Sequence, residues 1–279
     1  MKQTGQEIDE LMQKWVTEHR LQAKDSSSSP LADDGGVGTR DRDLIDMLLL
    51  MEKEGTLPND YPSDYFIKGF ANTVTLGGAH TSATALTWAL ALLMNNRQVL
   101  EKAHAELDLH VGRERVVEAS DISKLVYLQS IIKETLRLYP PAPLLIPHRA
   151  REDCQVGGFR VPAGTTVMIN IWNIQRDPRI FHNPLEFRPE RFLEENRDID
   201  AMGHHFMLIP FGSGRRGCPG TNMAMRMMHI VLARLLQAFD WTLPSGCSQV
   251  NMTETEGIAR GMEYPLELVL IPRLSPQLY

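Results

Sequence analysis

Apolar residues recur at helical spacing near the start of the chain, where Ile8, Leu11, Met12, Trp15 and Val16 share one face of a helix predicted over 7–24. The stretch DSSSSPLADDGGVGTR that follows is polar and rich in serine and glycine, and predicts a mobile linker over 25–39. Helical patterning resumes in RDRDLIDMLLLMEKEG and stops at Gly55 and Pro58. It then runs from position 62 to about 95, long enough at the helical rise for roughly 45 Å, the width of a whole domain. Midway along this helix, TLGGAHTSATA offers small and hydroxyl side chains, and Gly77 and Gly78 each weaken it by up to about 1 kcal/mol relative to alanine. RQVLEKAHAELDLHVG and KLVYLQSIIKETLRLYPP predict two more helices, the second over 125–138 and ended by Pro140 and Pro141.

Beyond residue 150 the period changes. CQVGGFRV alternates around Gly157 and Gly158 as a tight hairpin does, and the β-branched run TTVMINIWNI predicts a strand. RDPRIFHNPLEFRPERF is loop punctuated by proline, and EENRDIDAMGHHF is a polar connection. A helix is predicted over 221–239, after which SQVNMT and PLELVLI are short strand candidates. No internal repeat is visible. The pattern predicts a mainly α fold with small β-sheets, and the length fits one large domain or two small ones.

Composition narrows this. The chain of 279 residues carries a net charge of −6 with no basic run interleaved with aromatics, which argues against a nucleic-acid partner. Cys154, Cys218 and Cys247 are too few and too scattered for a disulfide framework, and no CxxC pair is present, so a reducing compartment is expected. The amphipathic N-terminus lacks the apolar run of a signal peptide or anchor. The most apolar stretch, TALTWALALLM, is about half the roughly 20 residues a membrane span needs, and reads as a buried helix.

One segment concentrates chemistry. PFGSGRRGCPG, residues 210–220, places Cys218 just before a predicted helix and just after Arg215 and Arg216. The peptide N–H groups and dipole of a helix N-terminus favour a thiolate, which serves as nucleophile or metal ligand. Phe211, Gly214, Arg216, Cys218 and Gly220 fit F-x-x-G-x-R-x-C-x-G, five fixed positions out of ten. That motif resembles the haem-binding loop of the cytochrome P450s. Glu134 and Arg137 in KETLR resemble the family's E-x-x-R, and Arg191 in FRPERF its third charged partner. YPPAPLLIPHRA, GGFRVPAGT, NIWNIQRDP and PLEFRPERF extend the likeness to nearly the whole chain, closest to the plant enzymes that oxidise alkaloids, terpenoids and phenolics.

The resemblance carries expectations. It implies the C-terminal portion of the P450 fold, without the N-terminal anchor and helices that would cover the apolar surface left behind. It implies a haem b whose iron is held by Cys218, with His148 and Arg216 on the propionates and Glu134, Arg137 and Arg191 as a structural charge triad. Gly77, Gly78, Ala79, His80, Thr81 and Ser82 align with the family's oxygen-binding stretch. There Thr81 steers protons, while His80 replaces the usual acid and is expected to lower coupling relative to His80→Asp. Segments 75–78, 142–146 and 256–259 would line a pocket for a small lipophilic substrate. Electrons would come from NADPH through a cytochrome P450 reductase docking near Arg215, Arg216 and Lys133, at the cytoplasmic face of the endoplasmic reticulum. Cys154 and Cys247 read as structural or incidental, and Met223, Met225, Met227 and Met228 as core filler, with a few of them able to face the haem pocket. The leading function is thus monooxygenation. Alternatives are a P450-fold isomerase or dehydratase, and a non-catalytic remnant.

Overall fold

The computed structural model describes residues 2–27, 42–58 and 60–279. They fall into two compact units, 1–79 and 80–279; the P450 resemblance implies a single incomplete domain. Positions 28–39 of the expected linker lie outside the described residues, and 25–27 complete the first helix.

The first unit is built from α1 (Lys2–Ser27), α2 (Leu44–Lys53) and the opening half of α3 (Ser63–Asn95). Its core is small: Met12, Val16, Ile45, Leu48, Leu57, Ile67 and Ala71, flanked by Ile8 and Trp15. A reciprocal cap starts α2, with the Asp43 carboxylate accepting from the N–H groups of Ile45 and Asp46 and the Asp46 carboxylate accepting from the N–H of Asp43. Charged ties at the surface join the helices. Arg20 reaches Glu52 at 2.9 Å and Asp64 at 2.5 Å, Lys68 reaches Asp9 at 2.7 Å, and His19 Nε2 lies 2.7 Å from Asp43.

The second unit packs the closing half of α3, α4 (Arg97–His110), α5 (Val126–Leu138) and α7 (Thr221–Ala238) around Ala89, Leu93, Leu107, Leu128, Ile131, Leu232 and Leu236. All of TALTWALALLM belongs to α3, and Trp88, Ala89 and Leu93 are buried, as a core helix requires. No helix among the described residues is long and apolar enough to cross a membrane. At the start of α5 the Glu106 carboxylate of α4 accepts from the N–H groups of Tyr127 and Leu128, satisfying two orphan donors.

Three two-stranded antiparallel sheets complete it. β1 (His148–Arg149) pairs β4 (Thr166–Val167), β2 (Cys154–Val156) pairs β3 (Phe159–Val161), and β5 (Phe239–Thr242) pairs β6 (Val269–Pro272). The β2–β3 hairpin turns on Gly157 and Gly158 with φ of 56° and 86°, as expected. Other strand expectations are corrected. TTVMINIWNI keeps only two strand residues and then coils into α6 (Ile171–Ile174), because the Asn170 side chain accepts from the Asn173 N–H and Ile171 drops into a cluster with Leu145 and Ile209. SQVNMT forms no strand, and the final helix stops at Ala238, where Phe239 opens β5 instead. Met228 is core, but Met223 and Met227 are exposed rather than filling it.

Candidate functional site

Residues 209–220 form a tight loop that delivers Cys218 to the N-terminus of α7. The Cys218 N–H donates to the Phe211 carbonyl at 2.9 Å, and the Gly217 N–H to the Gly214 carbonyl at 3.0 Å, around a single 3-10 turn over Gly214–Arg216. Gly212 and Gly214 take φ of 73° and 69°. Gly203 has a steric role: a Cβ there would lie 2.8 Å from the Gly212 carbonyl oxygen, so only glycine lets the preceding segment close against the loop. Ser213 Oγ fastens that contact by donating to the Gly203 carbonyl at 2.6 Å.

Phe211 roots the loop against the main core, whereas Cys218 is exposed. Gly220, at the helix cap, contributes no side chain, and a Cβ built on it would sit 3.8 Å from the cysteine Sγ. Neither a capping side chain nor an acidic residue in the first turn of α7 competes for its N–H groups. Arg215 and Arg216 are exposed and make no ion pair among the described residues. Leu145 touches the loop, its Cδ1 lying 3.8 Å from where a Gly212 Cβ would be, which brings the segment leading into exposed His148 alongside. Lys133 departs from expectation. It is half-buried, donates to the Ile199 carbonyl at 2.9 Å, and burial pulls its pKa down, so it is not a free surface cation beside Arg215 and Arg216.

Below the loop lies a buried charge network. The Arg137 Nε and Nη2 donate to both oxygens of Glu134 at 2.7 and 2.8 Å, and Arg191 Nε donates to the same carboxylate at 2.9 Å. All three side chains are fully buried. One carboxylate faces two guanidinium groups, and carbonyls of Gln175, Pro184 and Glu186 around Arg137 and of His182 around Arg191 take up the remaining donors. The expected triad is therefore assembled across α5 and the 3-10 turn Pro189–Phe192.

Gln175 is the residue that sequence patterning missed. Fully buried, it donates from Nε2 to the carbonyls of Leu136 and Arg137 at the end of α5, and its Oε1 accepts from the Ile209 N–H at 3.1 Å, immediately before the cysteine loop. It joins the charge network to the loop. A polar residue after the apolar run IWNI is the one local signal, since its partners lie 34 to 39 positions away.

His229, on α7, was also unmarked. Its Nε2 is buried with no hydrogen-bond partner, and burial, reinforced by Lys133, pushes its pKa down to about 4. His80 and Thr81 lie exposed on α3, which runs unbroken through Gly77 and Gly78. His80, Ala83, Thr84 and Thr87 form one wall of a cleft of about 270 Å3 whose other wall is 261–266. Of the expected catalytic and haem-binding residues, His80 lines that cleft.

A family model described as Cytochrome P450 matches residues 1–266. The chain belongs to the cytochrome P450 family. Among its relatives, the xanthotoxin 5-hydroxylase of Arabidopsis thaliana is 46% identical over 281 residues, covering 100% of this chain and 52% of its own length. A flavonoid-6-hydroxylase of Mentha piperita is 46% identical over 279 residues, with 100% and 52% coverage. A zebrafish cytochrome P450 solved with abiraterone superposes with a TM-score of 0.78 at 32% identity, covering 95% of this chain and 59% of that one. The chain spans about half the length of the curated relatives it matches. The P450 family implies a haem-iron cofactor, and the exposed donors fit one: a sulfur at a helix N-terminus, in a loop whose Arg215 and Arg216 make no ion pair among the described residues.

Proposed function

We propose that Cys218 would hold the iron of a haem b through its thiolate and that the full-length protein is a monooxygenase placing one oxygen atom from dioxygen into a small lipophilic plant metabolite. The observation that carries this is the cysteine loop, which holds an exposed thiol at the uncapped N-terminus of α7 by the Cys218–Phe211 and Gly217–Gly214 hydrogen bonds. When bound, the haem supplies activation of dioxygen, which thiolate ligation favours.

The chain's own residues do the rest. Cys218 would hold the metal through its thiolate, whose negative charge the helix N–H groups offset. Arg216 and His148 would hold the propionate carboxylates. Thr81 and His80 would hold and pass protons at the hydroxyl and the imidazole, the imidazole serving where the family uses a carboxylic acid. Glu134, Arg137 and Arg191 touch no reacting atom; through Gln175 they hold the floor of the loop in place.

Electrons reach the site from NADPH through a flavoprotein reductase that meets the exposed Arg215 and Arg216. The protein works at the endoplasmic reticulum membrane, held there by an N-terminal anchor. The names of the relatives, a xanthotoxin and a flavonoid hydroxylase, point to an oxygenated aromatic substrate. The test supplies full-length protein with such a reductase, NADPH, isotopically labelled dioxygen, and xanthotoxin or a flavonoid. One labelled oxygen per product, dependent on NADPH, is expected; a rearranged product formed without reductase points to the isomerase reading instead.

A further inference from the structure

The cleft beside His80 has a wall that must be held at a fixed distance, and one peptide unit does this. Arg260 lies where the turn 256–259 returns to the fold. Its N–H donates to the Pro141 carbonyl at 2.9 Å, and its carbonyl accepts from Trp88 Nε1 at 3.2 Å. Trp88 stacks on Tyr139, centroids 4.2 Å apart and planes 18° from parallel, and Tyr139 leads directly into Pro140 and Pro141. The contacts close a ring: Trp88 to Tyr139, along the chain to Pro141, across to Arg260, and back to Trp88. Three segments meet there, namely α3, the start of the 142–146 loop, and the end of the 256–259 turn.

The same ring bears on the cleft. Gly261, next along the chain, brings its backbone against α3, since a Cβ there would lie 4.0 Å from Thr84 Cγ2. Below it the turn is closed by the Thr255 N–H donating to the Gly261 carbonyl at 2.9 Å, the Gly261 N–H donating to Thr255 Oγ1 at 3.1 Å, and an isolated bridge between Glu254 and Met262. Arg260 Nη1 reaches Glu254 at 3.4 Å, whereas its Nε is buried with no partner. The turn's base is therefore stiff in itself, and its link to α3 passes through the indole N–H. Trp88 is fully packed, yet its only polar atom is spent on this one carbonyl.

We infer that Trp88 is a positioning residue: its indole N–H, through the Arg260 carbonyl, fixes the 256–262 segment, whose end opens the cleft wall, against α3 and so sets which position of the substrate is presented for oxidation. It touches no reacting atom and acts only through the wall. The specificity half of this rests on the monooxygenase reading; the mechanical half does not.

The test is Trp88→Phe, which keeps an aromatic ring against Tyr139 while removing the donor together with part of the indole's buried volume. In this chain, hydrogen exchange at the amides of Arg260 and Gly261 should accelerate roughly fivefold to tenfold, the weight of one buried hydrogen bond, while amides within α5 keep their rates. In the full-length holoenzyme given xanthotoxin or a flavonoid, the ratio of hydroxylated products should shift by about twofold or more, with the cysteine-ligated haem spectrum unchanged. Unchanged exchange at 260–261 overturns the positioning role. Faster exchange with an unchanged product ratio overturns the specificity role. Should Trp88→Phe fail to fold, exchange in the unmodified chain decides: an Arg260 amide as protected as the core of α5 is expected, and a freely exchanging one contradicts the ring. Loss of the thiolate spectrum in the unmodified holoenzyme would count against the enzymatic reading, and the exchange result would stand apart from it.

Discussion

The two units of this chain use charge in opposite ways. In 1–79 the ion pairs of the described residues sit at the surface: the side chains of Arg20, Glu52 and Asp64 are 34%, 29% and 46% exposed, around a core that, among the described residues, has seven buried apolar side chains. In 80–279 the decisive charges are Glu134, Arg137 and Arg191, all at 0% exposure beneath a far larger core. A surface pair trades water for a partner and gains little, and salt screens it. A buried network cannot give up one member, because water is no longer there to take the charge left behind. The unit that bears the cysteine loop is thus braced by contacts that fail together, and the helical unit by contacts that fail one at a time.

The largest expected effect breaks the buried side of this contrast. Glu134→Gln leaves two guanidinium groups uncompensated and should cost about 3–5 kcal/mol in denaturant titration, or prevent folding of 80–279. A loss under about 1 kcal/mol would mean that water reaches the network after all.

Next in size is acid. The pKa of His229 is lowered from 6.5 to about 4 by burial and then by Lys133, so the unfolded chain binds the proton first. Its contribution is complete above about pH 6.5 and is lost as pH falls towards 4, on the order of 3 kcal/mol. A stability profile across that window should lose part of its slope in His229→Leu, the rest belonging to His104, which burial likewise lowers to about 4, and an identical profile would remove the assignment. His19, in the other unit, has the reverse sign. Burial opposes its protonation, but the Asp43 carboxylate and the Trp15 carbonyl outweigh that and raise its pKa. Its tie to Asp43 is fully present below pH 6.5 and is lost as pH rises through the raised value; NMR titration of the two imidazoles should show the opposite directions. The smallest effect is Arg20→Ala, expected at no more than about 1 kcal/mol and shrinking further in high salt.

What the sequence made legible follows from range. The helices were readable because their apolar residues repeat locally: 125–138 and 62–95 come within a residue or two of α5 and α3. Of the site, the cysteine loop and the charge triad were readable as motifs, and the structure assembles each as a unit. The strands were not, since two to four residues carry too little periodicity, and β5 is defined by β6 some thirty positions away. Gln175, His229 and the Trp88–Arg260 bond were invisible for the same reason. Their partners are set by packing, and a buried polar residue leaves no pattern of its own.

The central claim is that the sulfur of Cys218 binds haem iron, and the most direct measurement is the carbon monoxide difference spectrum of the reduced, haem-loaded protein beside that of Cys218→Ser. The account predicts a thiolate-type band in the first and none in the second. The same band in both, or its absence from folded, haem-loaded unmodified protein, would contradict it.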